Sequence, residues 1–307
     1  MRSKKTWGLF ALICAIFGTT FLAIRMGLDA GASPLTFASL RFVIAGSLLS
    51  GFLFVSGKLT PRVAVSMLPR VALLSLFLTV GTFGCMFIAE TRVDSGLMAR
   101  LDAAGPLVTA VFAAVFLGKH FSLSHVPAFA LGMAGSLLIA SPAAAAEPLY
   151  LAIAAGSVVT YAAGNALYPR LFRADEDPMA VNALQMLIGG TILFIGALAT
   201  EKPMFPPSAV GPLLWLIVAG SMVAHTASLI LVRDAGPVFA ASWLYVSPCV
   251  ATVAGALVLC EAITPLGIAG TALALTGVFL LDRAERKGEA SPRKGRGRTD
   301  PLPGAPE

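Results

Sequence analysis

Charge is what this sequence lacks most. Only 12% of its 307 residues are Asp, Glu, Lys or Arg, while 57% are hydrophobic and the mean hydropathy is +0.84. A water-soluble domain carries about a quarter charged residues, so water is not the solvent for most of this surface. Signatures of catalysis are missing as well. There is no Walker-type phosphate loop, no HExxH and no GxSxG with a partner histidine, which argues against an ATP-driven pump, a zinc hydrolase or a serine hydrolase. Cysteine is scarce. Cys14, Cys85, Cys249 and Cys260 lie in or at the ends of apolar runs without a CxxC pair, so they read as small core residues rather than metal ligands or redox centres. The chain is therefore expected to be neither an enzyme nor a holder of metal or cofactor.

Long apolar runs are what the sequence has. Ten can be traced: 7–26, 35–54, 71–89, 95–116, 126–143, 149–168, 179–199, 211–232, 238–259 and 263–281. About 20 helical residues cross a bilayer core of about 30 Å, and none of the runs alternates with period two as a membrane β-barrel strand would. The expectation is an all-α membrane protein with ten transmembrane helices. The first run follows Arg2, Lys4 and Lys5, but it is long for a signal-peptide core and nine spans follow it.

Basic residues orient the chain. With the N-terminus inside, seventeen Lys and Arg fall in inside segments, against Arg92 and Lys202 outside; Arg25, Arg41 and Arg100 lie within helices. Both termini are expected in the cytoplasm of a multi-pass inner-membrane or plasma-membrane protein. The segment 285–307, rich in charge, Pro and Gly, reads as a disordered basic cytoplasmic tail that touches anionic lipid, with no nucleic-acid role.

The chain also resembles itself. Residues 33–46, SPLTFASLRFVIAG, match 177–190, DPMAVNALQMLIGG, at four of 14 positions with an offset of 144. Residues 106–119, PLVTAVFAAVFLGK, match 248–261, PCVATVAGALVLCE, at five of 14 with an offset of 142. Two alignments in order with nearly equal offsets imply halves of 1–144 and 145–284. Each half has five helices, an odd number, so the second enters the membrane from the opposite side. Inverted-topology repeats of this kind build transporters, because similar halves of opposite orientation can exchange shapes.

At this point the residues resemble a known family. FGTTFLAIRMGLDAGASPLTFASLRFVIAG, SGLMARLDAAGPLVTAVFAAVFLGK and FAASWLYVSPCVATVAGALVLCEAIT are similar to helices 1–2, 4 and 9 of EamA-type members of the drug/metabolite transporter superfamily. The likeness spans about residues 7–282. It departs at Lys119 and Cys260, in the family's Leu-Gly-Glu motifs, and at Arg92, where the family has an aromatic. The resemblance implies a secondary transporter exporting small metabolites such as amino acids, or drugs, through a central cavity lined by helices 1, 3, 4, 6, 8 and 9. Carriers of nucleotide-sugar or lipid-linked substrates stay open, as does a non-transporting scaffold or sensor. The expected partners are a small-molecule solute, a coupling proton and the bilayer. Small-residue faces at 132–140 and 269–277 suit close packing within the fold or in a homodimer.

Polar residues inside apolar runs are the candidate site. An intramembrane charge is a functional hypothesis and needs a partner. Arg41 sits about 10 Å deep in helix 2 by helical rise, with Glu90 and Asp102 as the nearest acids by depth. Because the family shares this arginine outside its usual cavity set, a structural pair of Arg41 with Glu90 is expected. Arg100 and Asp102 are two residues apart on helix 4 and point to nearly opposite sides. Together they suit a zwitterion. Tyr161 and Asn165 share a face of helix 6, His225 lies deep in helix 8, and Trp243 precedes the proline of helix 9. Arg100, Asp102, Tyr161, Asn165, His225 and Trp243 are the substrate-binding candidates. Asp102, Glu90 and His225 are candidate proton carriers. Pro106 and Pro248, at matching positions, read as mid-helix hinges.

Overall fold

The structure is a computed structural model that describes residues 2–93, 98, 101–118, 125–139, 147–259 and 265–290. Among the described residues there are ten helices and no strand. They are α1 Lys4–Asp29, α2 Pro34–Val55, α3 Pro61–Ala89, α4 Gly105–Leu117, α5 Val126–Ile139, α6 Pro148–Leu171, α7 Pro178–Thr200 and α8 Pro207–Ala235, then α9, in the two pieces Pro237–Ala241 and Trp243–Leu259, and α10 Pro265–Ala290. Seven of these are long and apolar enough to cross a bilayer; α4, α5 and α9 are shorter among the described residues. Local sequence sets the starts. Ser3, Thr60 and Asp177 accept a backbone N–H of the helix they precede, and prolines occupy the first turn of α2, α3, α6 and α7, where no N–H is required. Gly118 (φ 62°) and Gly236 (φ 88°) end α4 and α8 in a backbone conformation that a side chain disfavours.

Large apolar side chains lie on the outside as well as in the core. Leu48, Phe52, Val115, Ile195, Leu198, Ile268 and Phe279 are all exposed. That surface suits hydrocarbon as its solvent, and helices satisfy their backbone groups internally, as a membrane interior demands.

Two helix pairs form the closest crossings, α2 with α7 and α5 with α10. Both are glycine contacts, and both are reciprocal. Gly46 packs on the backbone of Leu187 and the carbonyl of Ala183, while Gly190 packs on the backbone of Val43 and on Phe42. Residues 43 and 46 on one helix thus meet 190 and 187 on the other, so the helices run antiparallel. In the second pair, Gly135 packs on the backbone of Ala274 and the carbonyl of Gly270, and Gly277 packs on Gly132 and the carbonyl of Ala128. A side chain at any of these four glycines meets backbone, which cannot yield. The remaining packing is also paired: α4 against α6 and α9 against α1, α3 against α6 and α8 against α1.

Polar contacts gather at two opposite ends. At one, Arg2 donates to Asp282 at 2.6 Å, Arg70 pairs with Glu176 at 2.9 Å, and Arg170 donates to the Phe116 carbonyl at 2.8 Å. The first residues of the chain and the end of α10 therefore share a face. At the other, the Glu201 carboxylate accepts the N–H groups of Leu35 and Thr36 at 2.8 and 3.0 Å, and Ser33 donates to the Lys202 carbonyl.

Two expectations change on contact with the structure. Pro106 stands not within a continuous helix but in the first turn of α4, just after a turn at Ala103–Ala104 that follows helical Leu101–Asp102, so its missing N–H breaks no bond within α4. Pro248 does lie inside its helix. The last helix also continues through Ala290, six residues into the segment read as tail. Glu285, in that extension, contacts His125 at 3.2 Å. Lys119, Cys260, Glu261 and residues 291–307 lie outside the described residues.

Candidate functional site

Between the helices lies a cavity lined from α1 (Phe17, Thr20, Phe21), α2 (Arg41), α3 (Thr82, Phe83, Met86), Asp102 ahead of α4, α6 (Ser157, Val158, Tyr161), α8 (His225) and α9 (Trp243, Leu244). Its open space is small, about 30 Å³ for the centres of water-sized molecules. That is room for a water or two.

Arg41 is the most constrained side chain here. It is 1% exposed. Its Nε donates to Ser221 Oγ at 2.8 Å, and Nη2 lies 3.5 Å from His225 Nε2. Since arginine has no acceptor, His225 Nε2 accepts, which leaves the ring proton on Nδ1. The guanidinium also lies over the rings of Phe42 and Phe83, 4.7 and 4.8 Å from their centroids. Each such contact contributes about 0.5–2 kcal/mol, more when desolvated. Nη1 has no hydrogen-bond partner.

The expected partnership of Arg41 with Glu90 does not take the form of an ion pair. Among the described residues no carboxylate lies within 4 Å of the Arg41 nitrogens. Glu90 is buried at the end of α3, with both carboxylate oxygens lacking a hydrogen-bond partner, and its main-chain carbonyl faces Arg25 Nη1 at 3.5 Å. Depth in the membrane was the only guide to the pairing, and depth says nothing of azimuth around a helix. Asp102 is 6% exposed and lines the cavity, with Oδ2 unpartnered. Arg100 lies outside the described residues.

The aromatic candidates converge. Trp243 Nε1 donates to the Tyr161 hydroxyl at 2.6 Å, and Phe17 packs on Trp243 and His225 with centroids 4.6 and 5.1 Å apart. Asn165 stands behind the lining residues: its amide donates to the main-chain carbonyl of Tyr161, one turn back, and its side chain also lies against the Tyr161 hydroxyl.

Two features had no reading in the sequence. Both α3 and α8 contain a wide π-helical segment, Leu76–Gly81 and Leu216–Ala224. Such insertions shift the helix face and are frequent at functional sites. Each delivers a hydroxyl inward: Ser221 to Arg41, and Thr79 to Gln185. The second feature is the polar chain that follows. Gln185 donates to Asn182, and Asn182 donates to the Ser221 carbonyl and to Thr226 Oγ1 at 3.1 and 2.9 Å. The spacing of Asn182 and Gln185 in an otherwise apolar run was its available signal. For Phe17, Thr20 and Phe21 it was their spacing on one face of α1.

A bundle of helices with apolar outer faces surrounds a narrow cavity with one buried cation and one buried acid on its wall. Comparison with known proteins gives the family. The EamA-like transporter family matches residues 5–141 and again 149–282, and this chain belongs to it. The chain is 32% identical over 263 residues, 83% of its own length and 84% of the relative's, to an uncharacterized inner membrane transporter, YedA, of Escherichia coli K12. It is 28% identical over 322 residues, 94% of this chain and 97% of the other, to a probable terminal-alkyne amino-acid exporter of Streptantibioticus cattleyicolor. A solved crystal structure shares the fold with a TM-score of 0.76 at 19% identity, covering 93% of this chain and all of the other. The protein is thus a multi-pass inner-membrane protein of a transporter family.

Proposed function

We infer that the protein is a secondary transporter that exports small metabolites such as amino acids by alternating access. The observation that carries this reading is the cavity, walled by α1, α2, α3 and Asp102 from the first half and by α6, α8 and α9 from the second. Residues 1–144 and 145–284 are read as two inverted five-helix repeats. Support comes from the two family matches and from the antiparallel, reciprocal crossings at Gly46/Gly190 and Gly135/Gly277. A contact in which residue i meets j and the counterpart of j meets the counterpart of i is what a twofold relation produces. For antiparallel halves that axis lies in the membrane plane. The glycine crossings then act as fixed pivots, and the cavity helices rock between inward-open and outward-open forms.

Both termini are placed in the cytoplasm on the bias of Lys and Arg, in accord with the contact of Arg2 with Asp282. Asp102 and Glu90 are the candidate proton carriers, while His225 serves Arg41 as an acceptor. Purified protein in liposomes, given labelled amino acids and amphipathic cations, tests the reading through saturable flux. Turnover of a solute without flux would replace it with an enzyme. Reporter fusions at residues 58, 172 and 290 are expected inside, and those at 145 and 204 outside; an external residue 290 would overturn the orientation.

A further inference from the structure

We propose that Arg41 is the carboxylate anchor of the transported solute, and that Asp102 receives its ammonium group. This rests on the transporter reading above and narrows it to α-amino acids with apolar side chains. Three observations carry it. Arg41 and Asp102 line one cavity, each more than nine-tenths buried, and each retains a side-chain atom without a hydrogen-bond partner, Nη1 and Oδ2. A buried polar atom left unpaired costs about 1–3 kcal/mol, more when the group is charged. Native structures tolerate such atoms where a ligand completes them.

The second observation is how Arg41 is held. Ser221 takes Nε, His225 faces Nη2, and Phe42 and Phe83 cover the guanidinium. None of these neutralises the charge, and all of them fix its plane. A guanidinium whose orientation is set by neutral groups, with one nitrogen free, is prepared for an oxyanion. Behind it, Asn182 secures the carbonyl of Ser221 itself, so the anchor's own support is braced from α7.

The third observation decides the class of anion. Among the described lining residues, Arg41 is the cation and Asp102 the anion, and their formal charges cancel. A phosphate ester, carrying close to two negative charges, would meet a single guanidinium and a repelling carboxylate. A zwitterion supplies a carboxylate for the one and an ammonium for the other. The rest of the wall, including Phe17, Phe21, Met86, Val158 and Leu244, suits an apolar side chain.

The test reads binding as ligand-dependent thermal stability of the detergent-purified full chain. The probes are leucine, methionine and phenylalanine, the amine left by decarboxylation of each, each amino acid's amide, and phenyl phosphate. Wild type is expected to be stabilised by at least one amino acid and not by its amine or amide. Arg41→Gln places at position 41 the residue that position 185 carries, which keeps a hydrogen-bonding side chain toward Ser221. It should weaken amino-acid binding by about tenfold to a hundredfold, the loss of one hydrogen bond to a charged group. Arg41→Lys, which keeps the charge but not the fork, should fall between. Equal stabilisation by acid and amine, no stabilisation by any amino acid, stronger stabilisation by phenyl phosphate, or undiminished binding in Arg41→Gln would each overturn the assignment. The wild-type comparison stands even if the variants fail to fold. Flux measured on the same preparation separates the two readings. Transport of amines without preference for acids removes the anchor and leaves the transporter, whereas acid binding through Arg41 without any flux removes the transporter and leaves the anchor.

Discussion

Helices α2 and α7 present different side chains at matching contacts. Arg41 reaches Ser221 in the π-helical segment of α8, and Gln185, its counterpart at an offset of 144, reaches Thr79 in the π-helical segment of α3. The geometry is shared and the chemistry is not. Gln185 is closed into a neutral chain with Asn182 and stands behind the cavity wall, whereas Arg41 is part of that wall. The same contrast recurs at an offset of 142, where Asp102 and Leu244 both line the cavity. The charge on the described wall comes from the first half, while the second supplies Tyr161, His225 and Trp243. On the proposed repeat, the halves share a scaffold and differ in wall chemistry: both contribute aromatic rings, but the charged groups come from the first and the hydrogen-bonding rings Tyr161, His225 and Trp243 from the second.

The scaffold side of this comparison is where the largest effects are expected. Gly46→Leu and Gly190→Leu should each abolish monodisperse protein, because the added side chain meets the backbone of the opposing helix. The alanine variants, with one methyl group each, should lose about 1–3 kcal/mol as overpacking commonly does, read as a lower thermal midpoint in detergent. The comparison sharpens if Gly46 and Gly190 respond alike, and likewise Gly135 and Gly277. Tolerance at one member of a pair and collapse at its counterpart would break it.

Next come the charges. Asp102→Asn is expected to reduce flux about tenfold, equivalent to about 1.4 kcal/mol, without a matching loss of folded protein. If Asp102 carries the coupling proton, the variant should also lose the dependence of flux on pH across the neutral range. Near-normal flux would move the site toward Tyr161 and Trp243. Gln185→Leu should behave in the opposite way. It strands Thr79 and Asn182 in the core, costing about 1–3 kcal/mol of stability, while flux per folded molecule stays near wild type.

Much of the scaffold was legible because hydropathy and charge act residue by residue. The runs located the helices, and the offsets of 144 and 142 coincide with the residues at which α2 meets α7 and α5 meets α10. What sequence could not give was azimuth. Arg41 was paired with Glu90 by depth, yet a serine on α8 takes its Nε, because a π-helical segment turns Ser221 inward. An extra residue in a helical turn leaves no mark in a 3.6-residue pattern. Asn165 sits one step behind the lining for a related reason: a short amide on a helix can bond to the carbonyl one turn back, as it does here with Tyr161. Pro106 was read as a hinge from its match to Pro248, but a proline serves equally well to start a helix, and only the turn at Ala103–Ala104 distinguishes the two.

The smallest effect concerns the aromatic face, where Trp243 Nε1 donates to the Tyr161 hydroxyl at 2.6 Å. The two ends of this bond differ in what they can do alone. The indole N–H is a donor with no alternative use, while the tyrosine hydroxyl both donates and accepts and rotates about its ring bond. Tyr161→Phe therefore strands a donor in an apolar wall, and Trp243→Phe leaves a group that can turn toward another partner. Tyr161→Phe should destabilise by more than Trp243→Phe, both within about 0.5–1.5 kcal/mol plus the cost of the stranded group. A double-mutant cycle should give a coupling near 1 kcal/mol, since removing both partners costs less than the two single losses together. Thermal midpoints of the four proteins in one detergent supply the cycle. Additive losses would mean that the bond does not hold the aromatic face together. The contrast between the two halves of the wall would then rest on Arg41 and Asp102 alone.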